Sequence, residues 1–337
     1  MRENVLNLTA VLPDGSIIKT GSRARKSSAG YDITRLLIGS EGTLAIITEA
    51  TLKLHGIPKI SHAVRISFPG GVKDAAMTAK ATLNCGVTVG RCELLDDNMV
   101  KIINQANPQN PQGPWLEHTT LLYEITGISP EAVAEQRDVV TEIAKKYGGT
   151  GIYTATGEAE TKQFWKFRKE CLWSAMSQYP DYEPMITDVC VPLTKLPDLI
   201  HETKLRIDQS TLPCPIIAHA GKRIILSYGS VCMLFFNNTF FKRFTGDGNF
   251  HVLIFFRPDH PNEVAEAKDI ASNMALQAIA LGGTCTGEHG IGVGKKELLK
   301  TEMGENTINL MKLIKTTVDP ENIMNPGKML DIEQKKK

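Results

Sequence analysis

The chain alternates between short apolar runs with strand-like spacing and longer stretches with helical spacing. It opens with two apolar segments, residues 5–12 and 16–20, on either side of Pro13-Asp14-Gly15, a pattern that predicts a β-hairpin. A lone hairpin is barely stable in water, so we expect it to belong to a larger sheet and the chain to begin inside a domain. A β-rich run, residues 43–54, and the break at Gly56-Ile57-Pro58 end this first segment.

Beyond residue 57, strands and helices alternate without an internal repeat. The predicted strands are residues 63–68, 92–95, 119–125, 151–155, 188–192, 215–220 and 250–256. The predicted helices, counting 32–38 in the first segment, are residues 72–84, 97–104, 130–147, 158–177, 195–207, 261–280, 295–317 and 320–325. The connections are too varied for a doubly wound parallel sheet. We therefore expect an α+β fold, with a mostly antiparallel sheet and helices on one side.

Residues 221–245 differ in composition from the rest of the chain. They are rich in phenylalanine, and their interrupted apolar centre, residues 224–236, is shorter than the roughly 20 residues needed to span a bilayer. We therefore predict an insertion foreign to the fold, and no transmembrane segment. Its apolar residues would be an aggregation hazard if they were exposed.

Composition narrows the function without identifying it. With 337 residues and a net charge of +1, nothing in the chain indicates a nucleic-acid partner. Seven scattered cysteines without a CxxC pair are typical of free thiols in a reducing compartment. We expect no targeting peptide in the opening residues, and we expect residues 332–337 to form a solvated, charged tail.

Two histidines and a glutamate lie in glycine-rich surroundings that let a ligand approach the backbone. His219, His251 and Glu288 supply two imidazoles and one carboxylate, a set that suits zinc or manganese and leaves positions open for a bound 2-hydroxy acid. The metal would lower the pKa of the substrate hydroxyl, and the adjacent His289 would take the proton. The alternative is that each histidine is a hydrogen-bonded structural residue, the commoner role of an isolated histidine.

Arg168 lies beside Trp165 on a predicted helix. Its guanidinium has the geometry to bind a substrate carboxylate with two hydrogen bonds. The alternative is an ion pair on the helix surface, with Glu158 or Glu170.

Glycine-rich loops suggest a nucleotide or flavin site. The loop Gly39-Ser40-Glu41-Gly42-Thr43 could present backbone N–H groups to a phosphate or to flavin, although most such loops are only turns. A P-loop at Gly294 would need glycine at His289 and Ser or Thr at Lys296. A GxGxxG motif from Gly290 would need glycine at Lys295. No P-loop and no Rossmann NAD site are therefore predicted.

Four stretches, in this order, carry a resemblance to a known family. They are Gly30-Tyr31-Asp32 with Leu37 to Thr48, Gly246-Asp247-Gly248-Asn249-Phe250-His251, Gly287-Glu288-His289-Gly290-Ile291-Gly292, and Asn325-Pro326-Gly327-Lys328. Together they resemble the FAD-linked D-2-hydroxyacid dehydrogenases, a family of vanillyl-alcohol-oxidase-type flavoproteins. The resemblance implies that residues 1–57 are the C-terminal part of a PCMH-type FAD-binding domain. Residues 58–331 would form an FAD-linked oxidase C-terminal domain, a ferredoxin-like antiparallel sheet with a helical end.

The resemblance also implies a reaction. It is the FAD-dependent oxidation of a D-2-hydroxy acid, D-lactate above all, to the 2-oxo acid, with electrons passed to cytochrome c or another carrier in the mitochondrion. Arg168 would bind the substrate carboxylate and His289 would be the base, while His219, His251 and Glu288 would hold zinc or manganese. The implied flavin contacts are Gly39, Ser40, Glu41, Gly42, Thr43, Ile47 and Asn325.

Three departures from the family pattern leave two other functions open. The family's FAD domain begins upstream of Met1 and includes a pyrophosphate-binding loop. Residues 221–245 separate two histidines that normally share one His-x-Gly-Asp-Gly-Asn-x-His stretch, and Ala45 stands where glycine is usual. One alternative is a catalytically inactive fragment that binds FAD and substrate poorly. The other is a metal-dependent hydrolase that uses the same histidines without flavin.

Overall fold

The computed structural model describes residues 2–110, 112–155, 157–219 and 248–332. Its strands are β1 (Val5–Val11), β2 (Ile17–Lys19), β3 (Ile46–Leu52), β4 (Ile60–Phe68), β5 (Val89–Leu95), β6 (Thr119–Gly127), β7 (Thr150–Ala155), β8 (Glu183–Ile186), β9 (Val189–Cys190), β10 (Ile216–His219) and β11 (Asn249–Phe256). Its helices are α1 (Ile33–Leu37), α2 (Val72–Asn84), α3 (Asp97–Ala106), α4 (Pro130–Lys146), α5 (Glu158–Lys169), α6 (Cys171–Gln178), α7 (Leu196–Ile207), α8 (Pro261–Ala280), α9 (Lys296–Met303) and α10 (Glu305–Val318). The predicted insertion at residues 221–245 and most of the predicted tail lie outside the described residues. None of the described helices combines the length and apolarity needed to cross a bilayer.

The chain divides into two compact units. Residues 1–55 together with 288–337 form the first unit, and residues 56–287 form the second. The boundary after residue 55 lies close to the predicted one. The contacts divide residues 58–331, predicted as a single domain, between the two units.

The first unit is built on the three-stranded antiparallel sheet β2-β1-β3. The predicted hairpin is present: Val11 pairs with Ile17, and the Leu12 N–H donates to the Ser16 carbonyl at 2.9 Å. Leu8 and Ala10 are buried because alternate residues of β1 face the core of this unit. Side chains from both segments of the unit cover that core, including Leu37, Leu44, Ala45, Ile314 and Val318.

The second unit is built on a long antiparallel sheet with the strand order β7-β4-β6-β5-β10-β11-β8, and β9 also pairs with β11. Each described strand pair in it is antiparallel. This confirms the α+β prediction and excludes a doubly wound parallel sheet.

Helices lie on both faces of this sheet, which corrects the prediction of helices on one side. Leu122 of β6 packs in a core with residues of α3, α5 and α6. The next residue, Tyr123, points the other way and donates from its hydroxyl to Thr82 of α2 at 3.3 Å. Helix α5 packs against the sheet because its aromatic residues Phe164 and Phe167 need an apolar surface to cover. This explains why the second face of the sheet also carries helices.

Three local predictions differ from the structure. The predicted helix over 295–317 is two helices, because Gly304 lies at φ 76°, a left-handed conformation that ends a helix. Residues 320–325 form turns instead of a helix, with Asn322 and Asn325 also at positive φ. The predicted helix over 158–177 divides at Glu170 into α5 and α6.

Strand β8 was missed because Pro184 argues against a strand. Proline cannot donate to a sheet ladder and is tolerated on edge strands. In the described sheet β8 is the last strand in the order, with a single neighbour, β11.

Candidate active site

Strand pairing places Glu93, His219 and His251 on one face of the long sheet. Glu93 of β5 lies directly opposite His219 of β10, and His251 of β11 lies opposite Ile217. Opposed residues, and residues two apart on one strand, share a face of the sheet. The two histidines therefore converge although residues 220–247 separate them in sequence.

The two imidazole rings are neighbours, and each is held at its Nδ1. Their centroids are 5.1 Å apart with planes at 71°, and both side chains are buried. His251 Nδ1 lies 2.8 Å from the carbonyl oxygen of Thr187, which can only accept. Nδ1 of His251 therefore carries a hydrogen, which makes Nε2 the nitrogen with a lone pair. His219 Nδ1 lies 2.6 Å from Glu93 Oε2.

Arg168 extends from α5 to the same carboxylate. Its Nε and Nη2 lie 3.1 and 2.9 Å from Glu93 Oε2, and the arginine is only 8% exposed. This buried pair replaces the helix-surface ion pair considered for Arg168. Burial alone would raise the pKa of Glu93, but the charges of Arg168 and His219 outweigh it and lower that pKa to about 2.

The sequence prediction missed three residues at this site. A signal was available for Glu93, because a carboxylate lies inside the apolar strand segment Cys92–Leu95 and is 0% exposed. Asp188 lies with Oδ1 3.8 Å from His251 Nδ1, and its Oδ2 accepts from the Thr286 hydroxyl at 2.8 Å. Thr187 contributes a backbone carbonyl, for which side-chain patterns give no signal.

Glu288 and His289 follow immediately after the last residue of the second unit, Gly287. A Cβ on Gly287 would lie 2.6 Å from the Asn249 side-chain oxygen, so a glycine is required there. The side chains of Glu288 and His289 are exposed. Their roles as metal ligand and base stay predictions.

In the first unit, two of the predicted flavin residues, Glu41 and Asn325, are in contact with each other. Glu41, at φ 51°, accepts the N–H groups of Ile291 and Gly292 on its two carboxylate oxygens, at 2.6 and 2.8 Å. Its backbone carbonyl accepts from Asn325 Nδ2 at 2.6 Å. A Cβ on Gly290 would lie 2.7 Å from Glu41 Oε1, so this contact requires glycine. Glu41 therefore joins three of the stretches that carry the family resemblance.

The remaining predicted flavin residues lie in the loop that ends at Thr43 and on strand β3. Thr43 donates both its N–H and its hydroxyl to the Ser40 carbonyl, at 2.9 and 2.6 Å. Ile47 on β3 is 41% exposed. The methyl group of Ala45, which stands in place of the usual glycine, is buried in the apolar core of the unit.

The fold has known counterparts. The structure of 4-ethylphenol oxidase from Gulosibacter chungangensis in complex with isoeugenol matches with a TM-score of 0.67 and 13% sequence identity, covering 97% of this chain and 65% of that one. This likeness concerns the fold alone. The family profile described as FAD linked oxidases, C-terminal domain, matches residues 57–329. The chain belongs to this FAD-linked oxidase family.

Sequence relatives define the branch of the family more closely. The chain is 44% identical over 330 residues to mitochondrial D-lactate dehydrogenase [cytochrome] of Arabidopsis thaliana, covering 98% of this chain and 53% of that protein. It is 40% identical over 337 residues to the probable mitochondrial D-lactate dehydrogenase of Danio rerio, covering 99% and 62%. The predicted similarity to D-lactate dehydrogenases is thus confirmed. The chain spans a little more than half the length of these relatives.

Proposed function

We propose that this chain contributes the substrate site of an FAD-dependent dehydrogenase that oxidises D-2-hydroxy acids, with D-lactate as the preferred substrate. The observation that carries the proposal is the buried group of Glu93, Arg168, His219 and His251 on one face of the sheet. The sequence relatives, named as D-lactate dehydrogenases, support the choice of substrate. Their names also support a cytochrome as electron acceptor and the mitochondrion as location.

The donor set fits a divalent metal. His251 is held at Nδ1 by a carbonyl and His219 is held at Nδ1 by a carboxylate, so Nε2 of each ring is the atom that would coordinate. Glu288 would complete a set of two imidazoles and one carboxylate, which suits zinc or manganese. Such an ion would polarise the substrate hydroxyl and lower its pKa.

Arg168 would bind the carboxylate of the substrate. Its Nε and Nη2 already donate to Glu93, so a substrate carboxylate would be bound from the Nη1 side of the guanidinium. His289 would accept the hydroxyl proton, the role for which an imidazole is suited near neutral pH.

Bound FAD would supply the hydride acceptor, a chemistry that no amino-acid side chain provides. Gly39, Ser40, Glu41, Gly42 and Thr43, with Ile47 and Asn325, are the residues proposed to contact it. The Glu41 contacts to Ile291, Gly292 and Asn325 would hold these segments in place.

The test is an anaerobic absorption spectrum of the purified chain after incubation with FAD and zinc. We expect a bound flavin band that bleaches with D-lactate and persists with L-lactate, and that fails to bleach in His251→Gln. A chain that binds no flavin would overturn the proposal and favour the inactive alternative. Metal-dependent turnover of an ester or amide with the flavin band unchanged would favour the hydrolase.

A further inference from the structure

We propose that Glu93 is a positioning residue of this site, which sets the His219 ring for metal binding and the Arg168 guanidinium for carboxylate binding from a single oxygen atom. The inference rests on the proposed function, because it assigns a role within the same metal and substrate site. Glu93 lies on β5, far in sequence from both partners. It touches neither metal nor substrate in this scheme and acts through the two side chains that do.

The geometry concentrates three contacts on Glu93 Oε2. Arg168 donates from Nε at 3.1 Å and from Nη2 at 2.9 Å, and His219 Nδ1 lies at 2.6 Å. Among the described residues, Glu93 Oε1 has no hydrogen-bond partner. Because the carboxylate is fully buried, water does not replace these contacts, and both partners depend on Glu93 for their orientation.

The contact with His219 determines which ring nitrogen can bind a metal. A carboxylate oxygen at 2.6 Å requires a hydrogen on Nδ1, since two lone pairs would repel each other at that distance. A second polar neighbour of His219 Nδ1 is Arg168 Nη2, at 3.3 Å, which can only donate. Without the carboxylate, that donor would favour a bare Nδ1 and place the hydrogen on Nε2, where it would block coordination.

The two histidines are therefore held by different acceptors. His251 donates to a backbone carbonyl, that of Thr187, and His219 donates to a charged carboxylate. A carboxylate partner makes a ligating imidazole more basic and orients it, and removing such a partner commonly weakens metal binding about 10- to 100-fold. Substitution of Glu93 removes the acceptor of His219. No side-chain substitution removes the acceptor of His251, because that acceptor is the backbone carbonyl of Thr187.

The contact with Arg168 selects the face of the guanidinium that a substrate can use. Glu93 occupies the Nε–Nη2 edge of the guanidinium, so a substrate carboxylate would approach Arg168 from another side. Loss of Glu93 would free the guanidinium to rotate, so the effect on a carboxylate ligand would appear in KM as well as in metal affinity.

Glu124→Gln is the matched control for Glu93→Gln. Glu124 is also a nearly buried carboxylate on this face of the sheet, two residues beyond Leu122, which pairs with Glu93. Its ion-pair partner is Arg91, at 2.8 Å. The control thus removes the same charge from the same face without touching His219 or Arg168.

The experiment measures zinc affinity by calorimetry and the His219 tautomer from imidazole 15N shifts, in the full chain and both variants. A His219→Gln variant assigns the His219 signals. We expect a hydrogen on Nδ1 of His219 in the unsubstituted chain. In Glu93→Gln we expect a shift toward the Nε2–H form and zinc binding weakened about 10- to 100-fold, with less than about two-fold change in Glu124→Gln. Where turnover is measurable, KM for D-lactate rises in Glu93→Gln more than in Glu124→Gln.

A hydrogen on Nε2 of His219 in the unsubstituted chain overturns the proposal, and this result does not depend on the folding of any variant. Equal zinc affinity in Glu93→Gln and the unsubstituted chain also overturns it, as does an equal loss in both glutamine variants. If the unsubstituted chain binds no zinc, the metal part of the proposed function fails. The tautomer comparison then still decides whether Glu93 sets the His219 ring.

Discussion

Phe250 and His251 are consecutive residues of β11, and their side chains therefore lie on opposite faces of the long sheet. Phe250 is completely buried, on the opposite side of β11 from His251, and Tyr123 of β6 points toward α2 on the other side of the sheet from Leu122. The face of His251 carries an apolar core, which includes Leu122 and Ile217, and beside it a buried polar group in which His219 and Arg168 meet at a single oxygen of Glu93. One face contributes only apolar area at this strand position, and the other holds reactive groups in defined orientations.

This comparison shows how one strand can carry stability and chemistry together. Burying ionisable groups costs free energy unless each finds a partner, so the polar face contributes orientation more than stability. Substitutions on the two faces should therefore differ in kind. The following predictions are given in order of their expected effect on the free energy of unfolding.

Phe250→Ala should have the largest effect. Removing a fully buried phenylalanine leaves a cavity, and we expect a loss of about 3–5 kcal/mol in the free energy of unfolding, measured by urea denaturation. Under conditions where the variant is folded, its zinc affinity should match that of the unsubstituted chain. A loss below about 1 kcal/mol would contradict the assignment of this face to stability.

Asp96→Asn tests a second buried carboxylate, three residues after Glu93. Asp96 accepts the N–H groups of Met99 and Ile216 at 2.9 and 3.0 Å and pairs with Lys204 at 3.2 Å. Burial outweighs these favourable contacts and raises its pKa from 3.8 to about 6. The contrast with Glu93, whose pKa is lowered, comes from its closer cation, because Arg168 lies 2.9 Å from Glu93 and Lys204 lies 3.2 Å from Asp96.

The sign of the pH effect follows from that shift. A carboxyl whose pKa is higher in the folded state than in the unfolded state holds its proton better when folded, so its contribution to stability is lost as pH rises from about 4 to about 6. Between pH 4 and pH 6, we expect the unsubstituted chain to lose about 2 kcal/mol relative to Asp96→Asn. The measurement is urea unfolding of both chains at several pH values. If the unfolding free energy of the unsubstituted chain relative to that of Asp96→Asn stays constant, or increases with pH, then folding does not raise the pKa of Asp96.

His251→Gln should have the smallest effect on folding and a large one on binding. It removes one hydrogen bond to the Thr187 carbonyl, worth about 1 kcal/mol in unfolding free energy without metal. Loss of a direct ligand should weaken zinc binding by more than the roughly 100-fold upper range seen for outer partners. Calorimetry and urea unfolding of the same sample separate the two quantities. Unchanged zinc affinity would remove His251 from the proposed ligand set.

Much of the fold could be predicted because its signals are local. The hairpin over 5–20 follows from alternating residues around Pro13-Asp14-Gly15, and α4 follows from Ser129, whose side chain accepts from Ala132 N–H at 3.2 Å. Strand β8 was missed because Pro184 is tolerated only at an edge, and edge position is a property of the assembled sheet.

The partners at the candidate site could not be predicted, because no short-range pattern records them. Arg168 meets Glu93 across 75 positions of sequence, whereas Glu158 and Glu170 were considered as partners because they are near in sequence. His219 and His251 were identified from residue type and resemblance. Their closeness became evident only from the pairing of β10 with β11.

The contact between Glu41 and the N–H groups of Ile291 and Gly292 has a consequence for the order in which the two units fold during synthesis. It joins residues 250 positions apart, within a unit whose two segments come from opposite ends of the chain. During synthesis, residues 1–55 leave the ribosome long before residues 288–337 exist to cover them. The unit of residues 56–287 is continuous and can fold while translation proceeds, whereas the other unit must wait for the last residues. Until residues 288–337 are made, the apolar core around β1 therefore lacks the cover that Ile314 and Val318 give it, which makes it a natural place for a chaperone to bind.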